Sequence, residues 1–214
     1  MLKIWGRKTS VNVQRVMWAV GELGLAHERV DAGGPFGGLD TAEFGRLNPN
    51  RLVPALQDGA FSMWESNASV RYLAATYGRG SLAPSDPKAF ATADQWMDWG
   101  LTTLNADIIA TCFLQLIRTP AADRNVAAVE AAAKRAGEKL LILNGELAGK
   151  SFILGNSLTM ADVAIGSFMY RYYNLPIARP TWANVDAWYQ RLQARPAYRD
   201  HVMVDFAAME VPGA

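Results

Sequence analysis

Four short segments of this chain carry residue types that could do chemistry, each beside the start of a helix or strand. The first is Thr9-Ser10-Val11-Asn12, two hydroxyls and an amide where a helix begins. The free N–H groups and positive dipole end of a helix favour an anion at such a place. A serine there caps the helix, and a capping serine can also face a ligand. The second is Trp64-Glu65-Ser66-Asn67-Ala68. Ser66 can hydrogen-bond a carboxylate, and Glu65 can pair with an ammonium. The plainer reading is an ordinary helix start, with Glu65 and Ser66 as first-turn and capping residues.

The third segment is Val53-Pro54, a proline entering a strand directly after a polar turn, which is unusual. A cis bond there would turn the chain sharply and present the backbone N–H and C=O of Val53 to a ligand. The plainer reading is a trans proline at a strand edge. The fourth is Ser157-Leu158-Thr159-Met160-Ala161-Asp162-Val163. Thr159 and Asp162 have capping-box spacing, and Leu158 and Val163 that of the hydrophobic staple. This motif serves folding, not catalysis.

The elements that must position these segments follow from periodicity. Leu2–Trp5 alternates as a strand. Apolar residues at helical spacing run from Val11 to Leu23, and Gly24 ends that helix. A second strand covers Ala26 to Asp31, so the first 30 residues make a βαβ unit with parallel strands. A glycine-rich loop and a short helix, Thr41 to Leu47, come next. Two strands, Leu52–Leu56 and Ala60–Met63, flank the turn Asp58-Gly59. A helix runs from Glu65 to Tyr77. The order is β-α-β-α-β-β-α. Gly80 to Pro87 has linker composition. Beyond it the pattern is helical: Lys88–Arg118, Arg124–Leu147, Thr159–Tyr172 and Trp182–Gln193. The division is therefore 1–80 and 87–214, an α+β chain with an all-α second part.

The bulk composition bounds the function. The chain has 214 residues, 50% hydrophobic and 19% charged, enough for two small domains with cores. Its formal net charge of +1 gives no case for a nucleic-acid partner, which needs a concentrated basic face. No apolar run approaches the roughly 20 residues that span a bilayer, and no membrane partner is expected. The N-terminus lacks the pattern of a signal peptide, so the expected compartment is the cytoplasm. The single cysteine, Cys112, precludes a disulfide within the chain. The two histidines, His27 and His201, stand far apart in sequence, so no zinc cluster of Cys and His, and no metal, is expected.

Together and in this order, the four segments resemble the cytosolic glutathione transferase family. The first half is similar to its thioredoxin-like domain, and the second to its helical-bundle domain. Asn48-Pro49 through Val53-Pro54 resembles the family's Asn-Pro-x-x-x-Val-Pro segment. Glu65-Ser66 resembles its acidic-serine pair, and Thr159-x-x-Asp162 its helical-domain capping box. The likeness runs from Leu2 to about Tyr198.

The resemblance implies glutathione as co-substrate. Val53 would pair its backbone with the cysteinyl part, ahead of a cis Pro54, while Glu65 and Ser66 hold the γ-glutamyl ammonium and carboxylate. Arg51 or Leu52 would line the glycyl end. Arg51 stands where the family often has glycine, and its side chain is expected to meet a carboxylate or to point to water. The activating residue of the family follows the first strand, and serine-type members carry that serine six residues before a helical valine. Ser10 and Val16 match, with Thr9 and Asn12 able to assist, and Thr-Ser-x-Asn-Val is similar to bacterial members. The second substrate, a small hydrophobic electrophile, would lie between the domains near Phe36, Trp99, Thr103 and Phe113. A homodimer is implied. Two other functions remain open: a glutathione-dependent isomerase of the maleylacetoacetate type, and a non-catalytic binding module on the same fold.

Overall fold

The computed structural model describes residues Met1 to Val211. The first part builds a four-stranded sheet from β1 (Leu2–Trp5), β2 (His27–Val30), β3 (Ala55–Asp58) and β4 (Phe61–Trp64). The spatial order is β2-β1-β3-β4. β1 and β2 run parallel, as the intervening helix α1 (Val11–Glu22) requires, and β3 and β4 are antiparallel to their neighbours. The third strand starts at Ala55, later than the sequence pattern placed it, so Val53-Pro54 lies ahead of the ladder. Pro54 has no N–H to offer a neighbouring strand. α2 (Ala42–Leu47) is capped by the Thr41 hydroxyl, and α3 (Ser66–Tyr77) closes this part.

The second part is helical: α4 (Pro87–Ile117), α5 (Val126–Glu146), α6 (Met160–Asn174), α7 (Ala183–Gln193) and a short α8 (Pro196–His201) that periodicity did not show. α4 begins with an Asp86 cap and Pro87 in its first turn. Two wider, π-type segments interrupt it at Gly100–Leu104 and Ile108–Phe113. By length and composition α4 could cross a membrane, with mean hydropathy 1.4 over its most apolar window. The helix is apolar on average rather than an unbroken apolar run. Here Trp96, Met97, Leu104 and Ile108 are buried in the protein core.

One core joins the two parts. α1 packs on α3 on one side and on α6 and α8 on the other. Trp18 of α1 is fully buried and meets Tyr198 of α8 edge to face at 4.7 Å. A side chain at Gly166 would come within 2.8 Å of the Trp18 ring, so the glycine permits that approach. Arg195 closes the joint with a two-pronged bond to Glu22. Asn67 Nδ2 donates to the Met97 carbonyl at 2.9 Å, tying α3 to α4. The result is that the N-terminal ends of α1 and α3 are held against α6. His27 and His201, remote in sequence, are neighbours with ring centroids 6.3 Å apart. Among the described residues, no three of His, Cys, Asp and Glu gather closely enough to hold a metal ion.

Candidate functional site

The first turns of α1 and α3 meet through their side chains. Ser10 is the residue ahead of α1, with extended backbone (φ −80°, ψ 124°), and its side chain makes no capping bond. Its hydroxyl therefore remains at a helix N-terminus without a task inside the helix. Asn12 reaches toward α3, where Ser66 Oγ lies 3.4 Å from Asn12 Oδ1. Ser66 is buried and accepts a 2.8 Å hydrogen bond from Arg15 Nη1. Thr9 contributes its carbonyl, which accepts from Arg171 Nη2 at 2.7 Å. Thr9, Ser10 and Asn12 are consecutive or nearly so at the start of α1, and Asn12 brings that start beside Ser66.

Glu65, exposed just ahead of α3, has φ 71°. A non-glycine residue in that region is strained by about 1–3 kcal/mol, and such strain concentrates at functional sites. The other non-glycine residue with positive φ is Arg51, at 55°. That conformation explains why glycine suits its position. Its guanidinium bonds the carbonyls of Leu39 (2.8 Å) and Thr41 (3.2 Å). It braces the turn ahead of α2 while remaining exposed. Leu52 is 64% exposed, and its carbonyl accepts from Asn48 Nδ2 at 2.7 Å. The Val53–Pro54 bond is cis.

The four expected second-substrate residues have different surroundings. Phe36 stands 55% exposed at the end of the short helical turn Gly34–Phe36. Trp99 packs edge-on against Trp96 at 5.0 Å, inside α4. The Thr103 carbonyl accepts from Lys139 on α5. Phe113 is only 4% exposed, covered by Phe206 at 5.4 Å and by the Arg171 guanidinium at 4.9 Å. The tail therefore packs over the ring that the sequence reading placed beside the second substrate. That tail runs along the end of α4, where Val211 N donates to the Ile117 carbonyl at 3.2 Å.

Three residues of this region escaped the sequence reading. Arg7 lies against the glycine-rich loop, and a Cβ at Gly33 would sit 3.2 Å from its Nη1 and 3.5 Å from Val53 Cγ1. Burial lowers the Arg7 guanidinium from its usual value, and nearby Arg118 lowers it further. Arg15 and Arg171 are buried at 1% exposure each. Burial pushes them down to about 9 and about 10 respectively, so both stay charged at neutral pH. A charged residue at a helix position whose turn neighbours are apolar was the available signal: Arg15 sits among Val11, Trp18 and Ala19. Cys112 is buried, and burial pushes its thiol up to about 11, which makes it inert at neutral pH. A recess of about 630 Å³ between α5 and the α6–α7 connection shares no residue with this cluster.

Known proteins resemble this chain over nearly its whole length. The family model for the glutathione S-transferase N-terminal domain matches residues 9–76, and that for the C-terminal domain matches residues 105–196. Glutathione S-transferase GstB of Escherichia coli (strain K12) is 39% identical over 206 residues, covering 95% of this chain and 99% of that protein. The crystal structure of the theta class glutathione S-transferase of Xanthomonas axonopodis pv. citri with glutathione bound superposes with a TM-score of 0.90. It is 43% identical and covers 95% of this chain and 98% of that one. The apo form of the same enzyme gives 0.81 at 37% identity, covering 95% and 97%. With both domain models matched, and a curated relative and a solved structure alike along almost the full chain, this protein belongs to the cytosolic glutathione S-transferase family.

Proposed function

We propose that this chain is a glutathione transferase in which Ser10 donates a hydrogen bond to the glutathione thiolate and so readies it to attack a small hydrophobic electrophile. The observation that carries the reading is the Ser10 hydroxyl at the start of α1, left out of the helix cap. The thiolate is the nucleophile, and a free thiol has a pKa of about 8.5. Lowering it by roughly two units takes about 2.7 kcal/mol of preference for the anion. A hydrogen bond to a charged acceptor contributes about 1.5–3 kcal/mol and a helix N-terminus about 0.3–1. One neutral, donating serine together with α1 reaches that sum, and no base is required.

The remaining assignments follow the same cluster. Ser66 holds the γ-glutamyl carboxylate, Glu65 faces the ammonium from its strained position, and the Val53 backbone pairs with the cysteinyl part. Phe36, exposed at the loop tip, is available to the second substrate. The division of the chain near residues 80–87 separates glutathione binding from the helices that close the pocket. A cytoplasmic setting fits a chain whose one cysteine is a free thiol. A homodimer fits β4, an edge strand that exposes Phe61 and Trp64.

The test is Ser10→Ala, assayed with glutathione and a chloronitrobenzene-type acceptor. Turnover at neutral pH should fall about 10- to 100-fold while glutathione affinity changes little. Unchanged turnover moves the role to Asn12 or Thr9. Retention on immobilised glutathione without conjugation favours the narrower isomerase reading, and no retention favours a binding module.

A further inference from the structure

Two buried cations behind the glutathione cluster have no carboxylate. Arg15 Nη1 bonds Ser66 Oγ, and its Nε bonds Ser167 Oγ at 3.1 Å. Arg171 Nη1 bonds Gln14 Oε1 at 2.6 Å and Nη2 bonds the Thr9 carbonyl. Its Nε is buried with no partner. Each guanidinium also lies over a phenylalanine, Arg15 on Phe168 at 4.8 Å and Arg171 on Phe113 at 4.9 Å. Neither takes part in an ion pair among the described residues. Burying a charge this way opposes folding unless something compensates it. Hydroxyls, an amide and a carbonyl satisfy hydrogen bonds but supply no counter-charge.

We propose that Arg15 and Arg171 are positioning residues whose uncompensated charge selects the anionic forms of glutathione, its thiolate above all, and aims the Ser66 hydroxyl at the γ-glutamyl carboxylate. The inference rests on the Ser10 and Ser66 reading above and adds the source of the field behind them. Geometry gives each arginine its part. Because Ser66 Oγ accepts from Arg15, its own proton points elsewhere, and its one acceptor among the described residues is Asn12 Oδ1 at a long 3.4 Å. An incoming carboxylate takes that proton. Arg171 holds the carbonyl of Thr9, so its charge is bound to the backbone immediately before the proposed thiolate donor Ser10. Charge of the same sign surrounds the pair: Arg7 ahead of α1, with Arg118 from the end of α4 near it. Tyr170 and Tyr198 face Arg171, and Glu65 is the acid that faces Arg15. Glu65 is exposed and is assigned to the ligand ammonium, so it leaves the buried pair uncompensated.

Gln14 offers the decisive substitution. Gln14→Glu places a carboxylate on Arg171 in the same volume, at the loss of the hydrogen bond from Gln14 Nε2 to the Lys8 carbonyl. The titration of enzyme-bound glutathione is followed through the ultraviolet absorbance of the thiolate. In Gln14→Glu its midpoint should rise by about one unit, with thermal stability held or increased. Arg171→Met should raise the midpoint similarly, and Arg171→Lys should keep it near that of the unaltered protein. If Arg171→Met does not fold, Gln14→Glu decides alone. Glutathione sulfonate should bind Gln14→Glu about tenfold more weakly, and S-methylglutathione equally well. A purely structural role for Arg171 leaves the midpoint and the sulfonate preference unchanged in Gln14→Glu, and that result overturns the inference. If the unaltered protein binds no glutathione or shows no lowered thiol midpoint, the functional reading fails first, and visibly so, before any variant is compared.

Discussion

The helix α6 carries two buried charged residues, and they are treated in opposite ways. Asp162 in the first turn of α6 accepts from the backbone N–H groups of Ile153 (3.0 Å) and Thr159 (2.9 Å), from the Thr159 hydroxyl and from Trp188 Nε1. Burial pushes its carboxyl above the usual range, against the pull of those donors. Every lone pair it needs to fill is filled from within the chain. At the other end of α6, Arg171 keeps an unpartnered Nε and meets no acid. A buried charge whose hydrogen bonds are all internal holds a fold together. One whose compensation is missing waits for something the chain does not contain. That distinction separates the structural motif from the ligand site more sharply than residue type does.

Removing Asp162 should have the largest effect and is the severest trial of the contrast. Asp162→Ala leaves two backbone donors and the Trp188 indole buried without an acceptor. Such groups are destabilising by about 1–3 kcal/mol each. The expected loss of about 4 kcal/mol or more is a large share of a typical domain's stability, read as a fall in the denaturant midpoint. Whatever fraction folds should still conjugate glutathione normally. A stable Asp162→Ala with impaired conjugation would reverse the assignment of the two clusters.

Ser66→Ala should act the other way round. It removes one acceptor from Arg15, an effect near 1 kcal/mol on stability, but it deletes the proposed carboxylate donor. The expected result is a rise in the KM for glutathione of about tenfold or more with kcat at saturation largely kept. If stability falls as far as in Asp162→Ala while KM stays, the arginine cluster is structural after all.

The same contrast explains what could be read from the sequence. Thr159 and Asp162 are three residues apart, so their partnership is local and spelled out by spacing. Ser10 before α1, Glu65-Ser66 before α3 and Val53-Pro54 before β3 are likewise local signals at the ends of elements. Arg15 and Arg171 meet partners across the chain: Ser167 and Ser66 for one, Thr9 and Gln14 for the other. No spacing rule reaches from residue 9 to residue 171. The lining of the second-substrate pocket was opaque for a related reason. Whether Phe113 faces a cleft or a core depends on Phe206, contributed by a tail with little pattern of its own. Arg51 shows a third limit, since a left-handed backbone turned its side chain back onto the loop before α2.

His201 offers the smallest effect and sharpens why the buried cations are arginines. It is half-buried on α8 beside His27, and burial lowers its pKa from the ordinary value of 6.5. Burial outweighs the opposing pull of its acidic neighbour Asp200, so this histidine gives up its proton more readily, whereas arginine keeps its charge in a folded protein. The sign of the pH dependence follows. Below the unfolded-state pKa the unfolded chain binds more protons at this group than the native one, so stability rises with pH across that window. The contribution is complete above the ordinary histidine range and is lost as pH falls through the lowered native value. The thermal midpoint should therefore drop on acidification through this range, and His201→Gln should flatten that part of the curve. An unchanged slope in His201→Gln would mean that the group titrates alike in both states. Burial would then not suffice to discharge a base here, and a histidine could hold a charge behind Ser10 as well as an arginine does.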